Sequence, residues 1–336
     1  MEPGDALKQV IAGQDLSRED TENLFGSLMD GGWSDVHKTG LLVALATKGE
    51  VASEIAGAAL AMRGRVVQIP HGRDDVVDTC GTGGDGKGTF NISTAAAIVA
   101  AAAGVPIAKH GNRSVSSRSG SADVLEELGV RIAVSPETAA RGVNEIGIAF
   151  LFAPGLHPAM KEVMPVRKGL GVRTIFNVLG PLTNPAGAKR QVMGVYSRSL
   201  VDVIGEVQRE LGAEHALVVH GSDGLDEITT TGPTAIAEVH NGELKTWELD
   251  PRDLGIDLAK PEELQGGTPQ ENAEALRDVL EGQQGPFADI TALNAGAAIY
   301  VSGLAGSLRE GYEKADQALI GGAAQGKLEE LRQLAD

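Results

Sequence analysis

Residues 76–94 read VVDTCGTGGDGKGTFNIST, and they carry the clearest indication of the fold class. It begins with a short apolar strand predicted over residues 76–79 and continues through a glycine-rich loop over residues 81–88. It then enters an alanine-rich helix predicted over residues 94–103. Glycine leaves backbone N–H groups open to a ligand, and the start of a helix favours negative charge. This order of elements therefore predicts one unit of an α/β fold that holds an anion at the turn.

The same alternation of strand and helix continues toward the carboxyl terminus. Apolar strands are predicted over residues 105–108, 148–152, 192–196 and 216–219, and helices over residues 121–128 and 200–211. The pair Ser135-Pro136 is typical of a helix start, and the pair Asn241-Gly242 is typical of a hairpin turn. Repeated strand–helix units predict a central, mostly parallel sheet wrapped by helices.

Residues 1–70 show helical spacing without strand patterns. Ser17 and Ser34 each stand before acidic residues, as helix-capping residues do, and residues 51–63 are rich in alanine. The expected architecture is α/β: a small all-helical N-terminal domain over residues 1–70 and a large α/β domain over residues 71–336.

The composition excludes several classes of protein. The chain has 336 residues, 42% of them hydrophobic, with 29 basic and 46 acidic residues and a formal charge of −17. An acidic protein lacks the basic face that nucleic acid requires. The lone Cys80 excludes a disulfide framework, and the most apolar stretch, residues 95–105, is too short to span a bilayer. We expect a cytoplasmic protein with neither nucleic acid nor membrane as a partner.

Two segments contain no acidic residue. They are residues 86–122 and 163–201, and together they hold 10 basic residues. Burial explains why acids are missing there, but it does not explain why Lys and Arg are retained. The pattern therefore favours anion binding in both segments.

The glycine loop matches neither common nucleotide motif in full. Gly81, Gly83 and Gly86 fit the dinucleotide pattern G-x-G-x-x-G, but no acidic residue follows about 20 positions later to bind a ribose. The loop also approaches a P-loop, but Gly88 stands where a Ser or Thr would bind magnesium. Phosphate contact by backbone amides remains the prediction, supported by the polar capping run at residues 91–94.

A second polar segment, residues 109–113, follows the strand predicted over residues 105–108. It reads Lys-His-Gly-Asn-Arg, and five serines between positions 114 and 121 add hydroxyl donors. Ligands bind at the carboxyl ends of strands in sheets of this type. This loop and the glycine loop are therefore expected to face one crevice.

These segments, taken in order, resemble the anthranilate phosphoribosyltransferase family. The matching segments are residues 81–85, 91–94, 109–113, 121–123, 157–160, 173–185 and 226–227. The resemblance covers essentially the whole chain. It implies a fold like that of nucleoside phosphorylases, in which helices around residues 160–185 join the helical N-terminal domain.

The resemblance also implies the reaction. A pentosyltransferase of this family moves the phosphoribosyl group of 5-phosphoribosyl 1-pyrophosphate to the amine of anthranilate, giving N-(5-phosphoribosyl)anthranilate and pyrophosphate. This is the second step of tryptophan biosynthesis from chorismate. The family further implies a homodimer and leaves open a loose association with anthranilate synthase components.

The resemblance assigns residues to three groups. Those expected to bind phosphoribosyl pyrophosphate are Gly81, Gly84, Asp85, Thr89, Asn91, Ile92, Ser93, Thr94, Lys109, His110, Gly111, Asn112, Arg113, Ser114, Val115, Ser116, Ser117 and Ser121. Those expected to bind anthranilate are Gly81, Asn112 and Arg167. Ser93 and Glu227 are expected to hold one magnesium ion, and Asp226 with Glu227 a second, giving two Mg²⁺ per monomer. No residue is assigned as a catalytic base, because an aromatic amine is already an adequate nucleophile.

Two other functions remain open at this point. A pyrimidine nucleoside phosphorylase shares the fold and a phosphate loop, but it is longer and lacks the paired metal carboxylates. A non-catalytic nucleic-acid-binding relative should be basic on an exposed face and should lose Arg167 or the pair Asp226-Glu227, which this chain retains.

Overall fold

The computed structural model describes residues 1–114 and 118–336, and the predicted site residues Val115, Ser116 and Ser117 lie outside the described residues. The helices are α1 Pro3–Ile11, α2 Arg18–Met29, α3 Asp35–Lys48, α4 Ala52–Arg63, α5 Ile92–Ala102, α6 Ser121–Glu127, α7 Pro136–Arg141, α8 Ala153–Leu156, α9 Met164–Leu170, α10 Phe176–Leu179, α11 Ser199–Glu210, α12 Pro269–Leu280, α13 Pro286–Ser302, α14 Leu308–Ile320 and α15 Ala323–Gln333. The strands are β1 Val77–Asp78, β2 Ile107–Gly111, β3 Ile148–Phe152, β4 Arg190–Gly194, β5 His215–Gly221, β6 Thr234–His240 and β7 Glu243–Leu249. A π turn at Gly142–Ile146 and 3₁₀ turns at Pro158–Glu162, Pro181–Thr183, Pro251–Leu254 and Pro261–Leu264 complete the regular structure.

The strands form one sheet in the order β3-β2-β1-β4-β5-β6-β7. The first five in this order are parallel, and β6 and β7 extend the sheet as an antiparallel hairpin. Asn241 and Gly242 form the hairpin turn with φ of 52° and 82°, as their sequence predicts. The predicted mostly parallel sheet is confirmed.

Strand β2 is longer at its carboxyl end than its sequence suggests. It pairs with β3 through all five of its residues, up to Gly111 opposite Phe152. The prediction that Lys109, His110 and Gly111 follow this strand as a loop is therefore wrong. They are its last residues, because β3 continues the ladder and the fold buries all three. Strand β1 is short because the chain leaves it for the glycine loop after Asp78.

The N-terminal residues form four helices whose starts agree with the sequence. The Ser17 hydroxyl accepts a hydrogen bond from the Asp20 N–H, and the Ser34 hydroxyl accepts one from the His37 N–H. Each cap satisfies a backbone donor that the helix itself leaves free. The predicted helical N-terminal region is confirmed.

Two large apolar cores lie on opposite faces of the sheet. One contains α5 and α13 with strand residues such as Val77 and Leu217. The other joins α1–α4 to α11 through Met193 and Val218. This second core is continuous from the N-terminal helices to the sheet, so it shows no gap between the two regions. The division of the chain into domains at residue 70 stays a prediction.

No helix within residues 1–114 and 118–336 has the length and apolar character needed to cross a bilayer.

Candidate functional site

The glycine loop leaves β1 at the carboxyl end of the parallel strands and leads into α5. The positive φ values of its glycines, between 65° and 76°, are conformations that side chains disfavour; these residues are Gly83, Gly84, Gly86 and Gly88. Thr82 fixes the loop to the neighbouring strand. Its N–H donates to the Gly194 carbonyl at 2.8 Å, and its hydroxyl accepts from the Tyr196 N–H at 3.1 Å.

The acidic pair follows β5 and lies against the glycine loop. The Asp226 carboxylate accepts a hydrogen bond from the Gly83 N–H at 2.7 Å, and the Glu227 carboxylate accepts one from the Ser93 N–H at 3.2 Å. A Cβ at Gly194 would overlap the Asp226 carbonyl, so glycine at this position lets the acidic loop approach β4. The adjacent carboxylates therefore contact different parts of the site: the glycine loop and the start of α5.

The electrostatics of this pair indicate a cation site. Burial raises the pKa of Asp226 and of Glu227 well above their ordinary values, and repulsion from Asp85 and between the two groups adds to the rise. A divalent cation would offset both effects. Carboxylate and hydroxyl oxygens are the ligands that Mg²⁺ prefers. The donor set of Asp226, Glu227 and Ser93 therefore fits magnesium.

Lys109 lies beside the same carboxylates at the end of β2. Its ammonium donates to the Thr79 carbonyl at 3.1 Å, to the Thr79 hydroxyl at 3.4 Å and to the Ser93 hydroxyl at 3.3 Å. The side chain is buried. None of these three hydrogen-bond acceptors is a carboxylate, so the ammonium can also attract an anionic ligand.

The start of α5 differs from the expected capping arrangement. Asn91 is its N-cap residue, but the Asn91 side chain makes no capping bond. Its amide instead contacts Ser119 and Asn272, which lie on other segments of the chain. Ile92 and Thr94 are buried within the helix.

Arg173 contacts the glycine loop, although the sequence indicates it only as part of the matching segment 173–185. Its guanidinium donates to the Gly84 carbonyl and lies 4.1 Å from the centroid of the Tyr196 ring. Within the described part of the chain it forms no ion pair. Its position in the second acid-free segment is the sequence feature that could have identified it.

Two other predicted site residues lie in the glycine loop. Asp85 accepts a hydrogen bond from the Lys87 N–H at 3.1 Å, and the Thr89 backbone pairs with Gln265.

Asp123 binds three described residues that lie between β2 and α6. The Asp123 carboxylate accepts from the Ser114 N–H at 3.0 Å, the Gly120 N–H at 2.9 Å and the Arg113 guanidinium at 3.0 Å. Arg113 also pairs with Glu126 at 2.6 Å. The structure therefore places Arg113 on two carboxylates, which partly neutralise it as a ligand for phosphate.

Asn112 and Ser121, two further predicted site residues, are joined by hydrogen bonds. The Asn112 N–H donates to the Ser121 hydroxyl, which in turn donates to the Asn112 carbonyl, both at 3.2 Å. A Cβ at Gly111 would overlap Ser121 and Phe150, so only glycine allows this close approach.

The buried side chains of His110 and His157 form a pair. The Nε2 atoms of His110 and His157 are 3.0 Å apart, which requires one ring to donate and the other to accept. Burial lowers the pKa of His110 to about 3, with repulsion from His157 as the next cause, and burial lowers the pKa of His157 to about 4. Both rings are therefore neutral near pH 7. Their Nδ1 atoms are buried and have no partner among the described residues.

Arg167 lies in the last turn of α9. Its guanidinium lies 5.6 Å from the Phe176 ring centroid, and burial lowers its pKa. No carboxylate of the described chain pairs with it. A half-buried cation without a counterion is well suited to an anionic ligand.

The basic residues of the two acid-free segments divide into two sets. Four pair with carboxylates that flank the segments: Arg113, Lys189, Arg190 and Arg198. Across residues 1–114 and 118–336 the others have no ion pair: Lys87, Lys109, Arg118, Arg167, Lys168 and Arg173. Six of the ten cations in the acid-free segments are therefore without an ion pair in the described part of the chain.

Two family descriptions match the chain. "Glycosyl transferase family, helical bundle domain" matches residues 4–66, and "Glycosyl transferase family, a/b domain" matches residues 73–325. The anthranilate phosphoribosyltransferase of Rubrobacter xylanophilus is 53% identical over 328 residues, which cover 97% of this chain and 95% of the relative.

Solved structures share the whole fold. Anthranilate phosphoribosyltransferase from Thermus thermophilus has a TM-score of 0.93 and 47% identity, covering 98% of this chain and 99% of its own. The Saccharomyces cerevisiae enzyme in complex with PRPP and Mg has a TM-score of 0.87 and 29% identity, covering 98% and 96% of the two chains. The yeast enzyme has also been solved with 4-fluoroanthranilate, at a TM-score of 0.86, 28% identity and 98% coverage of both chains.

Proposed function

The chain belongs to the anthranilate phosphoribosyltransferase family, and from this membership we propose how its residues bind the two substrates. It transfers the phosphoribosyl group of 5-phosphoribosyl 1-pyrophosphate to the amine of anthranilate in tryptophan biosynthesis. In our proposal the glycine loop, the start of α5 and Lys109 bind the donor, and Arg167 binds anthranilate. The observation that carries it is the contact of Asp226 and Glu227 with the backbone of the phosphate loop and of α5.

The donor is strongly anionic, and a chain of charge −17 needs local cations to bind it. The amides of the glycine loop can face its phosphate oxygens, as in other glycine-rich phosphate sites. Lys109 supplies a buried positive charge beside Ser93, and Arg173 supplies another beside Gly84. These groups lie at the carboxyl end of the parallel strands, where such folds bind ligands.

Magnesium would be held by Asp226, Glu227 and Ser93. The yeast relative was solved with PRPP and Mg, which supports the use of Mg²⁺, and we propose two ions per monomer. When bound, the metal supplies positive charge to the departing pyrophosphate. Asp226 and Glu227 orient it through their own contacts, which are anchored by the backbone N–H groups of Gly83 and Ser93.

Anthranilate is a planar carboxylate, which a guanidinium can hold through two parallel hydrogen bonds. Arg167 is half-buried and has no carboxylate partner in the described chain, so its charge is available to this ligand. Asn112 and the Gly81 backbone are the other proposed contacts. The neutral His110–His157 pair can form part of the wall of the site without adding charge.

Catalysis then depends on the positioning of the two substrates rather than on a strong general base. Holding the amine near C1′ of the donor converts a bimolecular step into an intramolecular one. Lys109, Arg173 and the loop amides stabilise the charge that develops on the leaving group. The pKa values of His110 and His157 lie far below neutrality, so neither ring donates a proton there as an imidazolium.

Loss of anthranilate fluorescence tests the proposal. Fluorescence should fall only when phosphoribosyl pyrophosphate and Mg²⁺ are both present, and EDTA should stop the reaction. Phosphorolysis of a pyrimidine nucleoside without magnesium, with no use of anthranilate, would instead indicate the phosphorylase function.

We also propose a homodimer formed by the N-terminal helices. Ala58 and Ala59 lie in the alanine-rich helix α4, but they are already buried within the single chain, so substituting them would not test a contact between two copies. Val36 and Val43 are exposed, 80% and 41%, and lie seven residues apart on α3, so they share a face. Exposed aliphatic side chains on one face suit contact with a second copy. Sedimentation should give a dimer at micromolar concentration, and Val36→Asp with Val43→Asp should give a monomer.

Two further proposals concern the cell. We propose that the enzyme acts in the cytoplasm, which fractionation would test. A loose association with anthranilate synthase components is the other, and co-sedimentation of the purified proteins would test it.

A further inference from the structure

A distant segment, residues 264–272, lies against the exit of the glycine loop. The Gly266 N–H donates to the Gly88 carbonyl at 2.9 Å, and the Phe90 N–H donates to the Leu264 carbonyl at 3.2 Å. Between these two bonds, Thr89 and Gln265 form an antiparallel bridge. The exit of the phosphate loop is therefore held by backbone pairing with a part of the chain about 175 residues later.

The approach of the two backbones is close enough to require glycine. A Cβ at Gly266 would lie 2.6 Å from the Thr89 carbonyl oxygen and 2.7 Å from the Phe90 nitrogen. Both neighbours are backbone atoms, which cannot turn aside as a flexible side chain would. The segment therefore fixes where the glycine loop ends.

The same segment leads into a buried amide, Asn272, on α12. Its Oδ1 accepts from the Gly267 N–H at 2.7 Å, and its Nδ2 donates to Asn91 Oδ1 at 2.8 Å. Because a backbone N–H can only donate, the first bond fixes the orientation of the Asn272 amide. The Asn272 side chain is 3% exposed, so water does not replace a lost bond without rearrangement.

Asn91 connects Asn272 to Ser119. Asn91 Oδ1 also accepts from the Ser119 hydroxyl at 3.1 Å, and Asn91 Nδ2 donates to the Ser119 carbonyl at 3.3 Å. Both polar atoms of the Asn91 side chain are thus used within the protein. One chain of side-chain hydrogen bonds therefore runs from Asn272 on α12 through Asn91 at the start of α5 to Ser119, two residues before α6.

We propose that Asn272 is a positioning residue for phosphoribosyl pyrophosphate, acting through Asn91. It makes no contact with the donor itself in this account. It holds the start of α5 and Ser119 in fixed positions relative to each other, so that both are set before the donor binds. The inference rests on the proposed function, which places the donor at the glycine loop and Lys109.

Steady-state kinetics with each substrate varied in turn test this role. Asn272→Ala should raise the KM for phosphoribosyl pyrophosphate about 5- to 20-fold, the effect of one or two buried neutral hydrogen bonds. The KM for anthranilate should change less than about 2-fold. Asn272→Asp should raise the donor KM further, because a carboxylate oxygen would face Asn91 Oδ1. Gln270→Ala is the matched control, since Gln270 is exposed on the same helix and, among the described residues, its side chain bonds only Glu274.

A double-mutant cycle separates positioning from general destabilisation. Asn91→Ala combined with Asn272→Ala should raise the donor KM no more than the larger single effect, because both act through one chain. Circular dichroism would show that each variant is folded, and the isosteric Asn272→Asp serves if the alanine variant is not.

Additive effects, or equal rises in both KM values, would overturn the inference. So would an unchanged donor KM in both Asn272 variants while Lys109→Met raises it. If Lys109→Met also leaves the donor KM unchanged, the proposed donor site is itself wrong.

Discussion

The Asp226 carboxylate accepts a hydrogen bond from the Gly83 backbone N–H at 2.7 Å, across 143 residues of sequence. The bond joins the loop that we assign to phosphate with the acidic pair that we assign to magnesium. If these assignments hold, the loop that binds the donor and the carboxylate that binds the metal fix each other's position. Changes to either loop should affect both ligands.

Gly81→Ala should disturb this relationship from the glycine loop. An added Cβ would lie 2.9 Å from Asp226 Oδ2 and 3.3 Å from the Gly194 carbonyl oxygen, so the carboxylate must move. We expect kcat to fall about 10-fold or more and the Mg²⁺ concentration for half-maximal rate to rise, since small displacements in a site are costly. Gly326→Ala is the control, because its Cβ would meet no atom within 4 Å. Equal behaviour of the two variants would contradict the account.

The acidic pair should destabilise the protein when no metal is present. Asp226→Asn with Glu227→Gln removes two buried carboxylates that repel each other and Asp85. We expect the metal-free melting temperature to rise by about 2 °C or more, because burying uncompensated charge is costly. The stabilisation by Mg²⁺ with pyrophosphate should be lost, and turnover should fall about 100-fold or more. A variant that keeps the Mg²⁺ response in differential scanning fluorimetry would count against this site.

The histidine pair should make the fold sensitive to acid. The pKa of His157 is about 4 in the folded chain, below the ordinary 6.5, so the unfolded chain binds protons that the folded chain does not. The stability from this group is complete above pH 6.5 and decreases as the pH falls toward 4, by about 1.4 kcal/mol per pH unit.

His157→Gln tests this pH dependence. The decrease in melting temperature between pH 7.5 and pH 5 should be smaller in this variant than in the parent protein. His37→Gln, at an exposed position, should show the same decrease as the parent. Parallel curves for all three proteins would show that the buried pair does not set the acid sensitivity.

Local signals in the sequence account for much of the fold and the phosphate loop. The stretch at residues 76–94 predicts its strand, turn and helix, because glycine spacing and an alanine run act over a few residues. Ser17 and Ser34 predict their helix starts for the same reason. The acid-free segments also predict where cations without an ion pair lie, since a segment that retains Lys and Arg but no acidic residue favours an anionic ligand.

Contacts between distant segments account for what the sequence did not predict. Nothing local to Asn272 indicates that it bonds Asn91, and nothing near Lys109 indicates that β3 extends the strand to Gly111. The Asn91 side chain bonds other segments instead of capping α5, because tertiary partners compete with a local cap. Such pairings depend on the topology of the sheet rather than on residue spacing.

The most direct measurement of the central claim is the KM of each substrate in two reciprocal variants. Arg167→Ala would remove the proposed bidentate carboxylate contact of roughly 1.5–3 kcal/mol and should raise the anthranilate KM about 10- to 100-fold. Its donor KM should stay near the parent value, and Arg167→Lys should recover only part of the loss. Lys168→Ala is the control, because Lys168 is the exposed neighbour of Arg167. Lys109→Met should show the reverse pattern, with a raised donor KM and an unchanged anthranilate KM. If Arg167→Ala instead raises the donor KM and leaves the anthranilate KM unchanged, the two substrates have been assigned to the wrong residues.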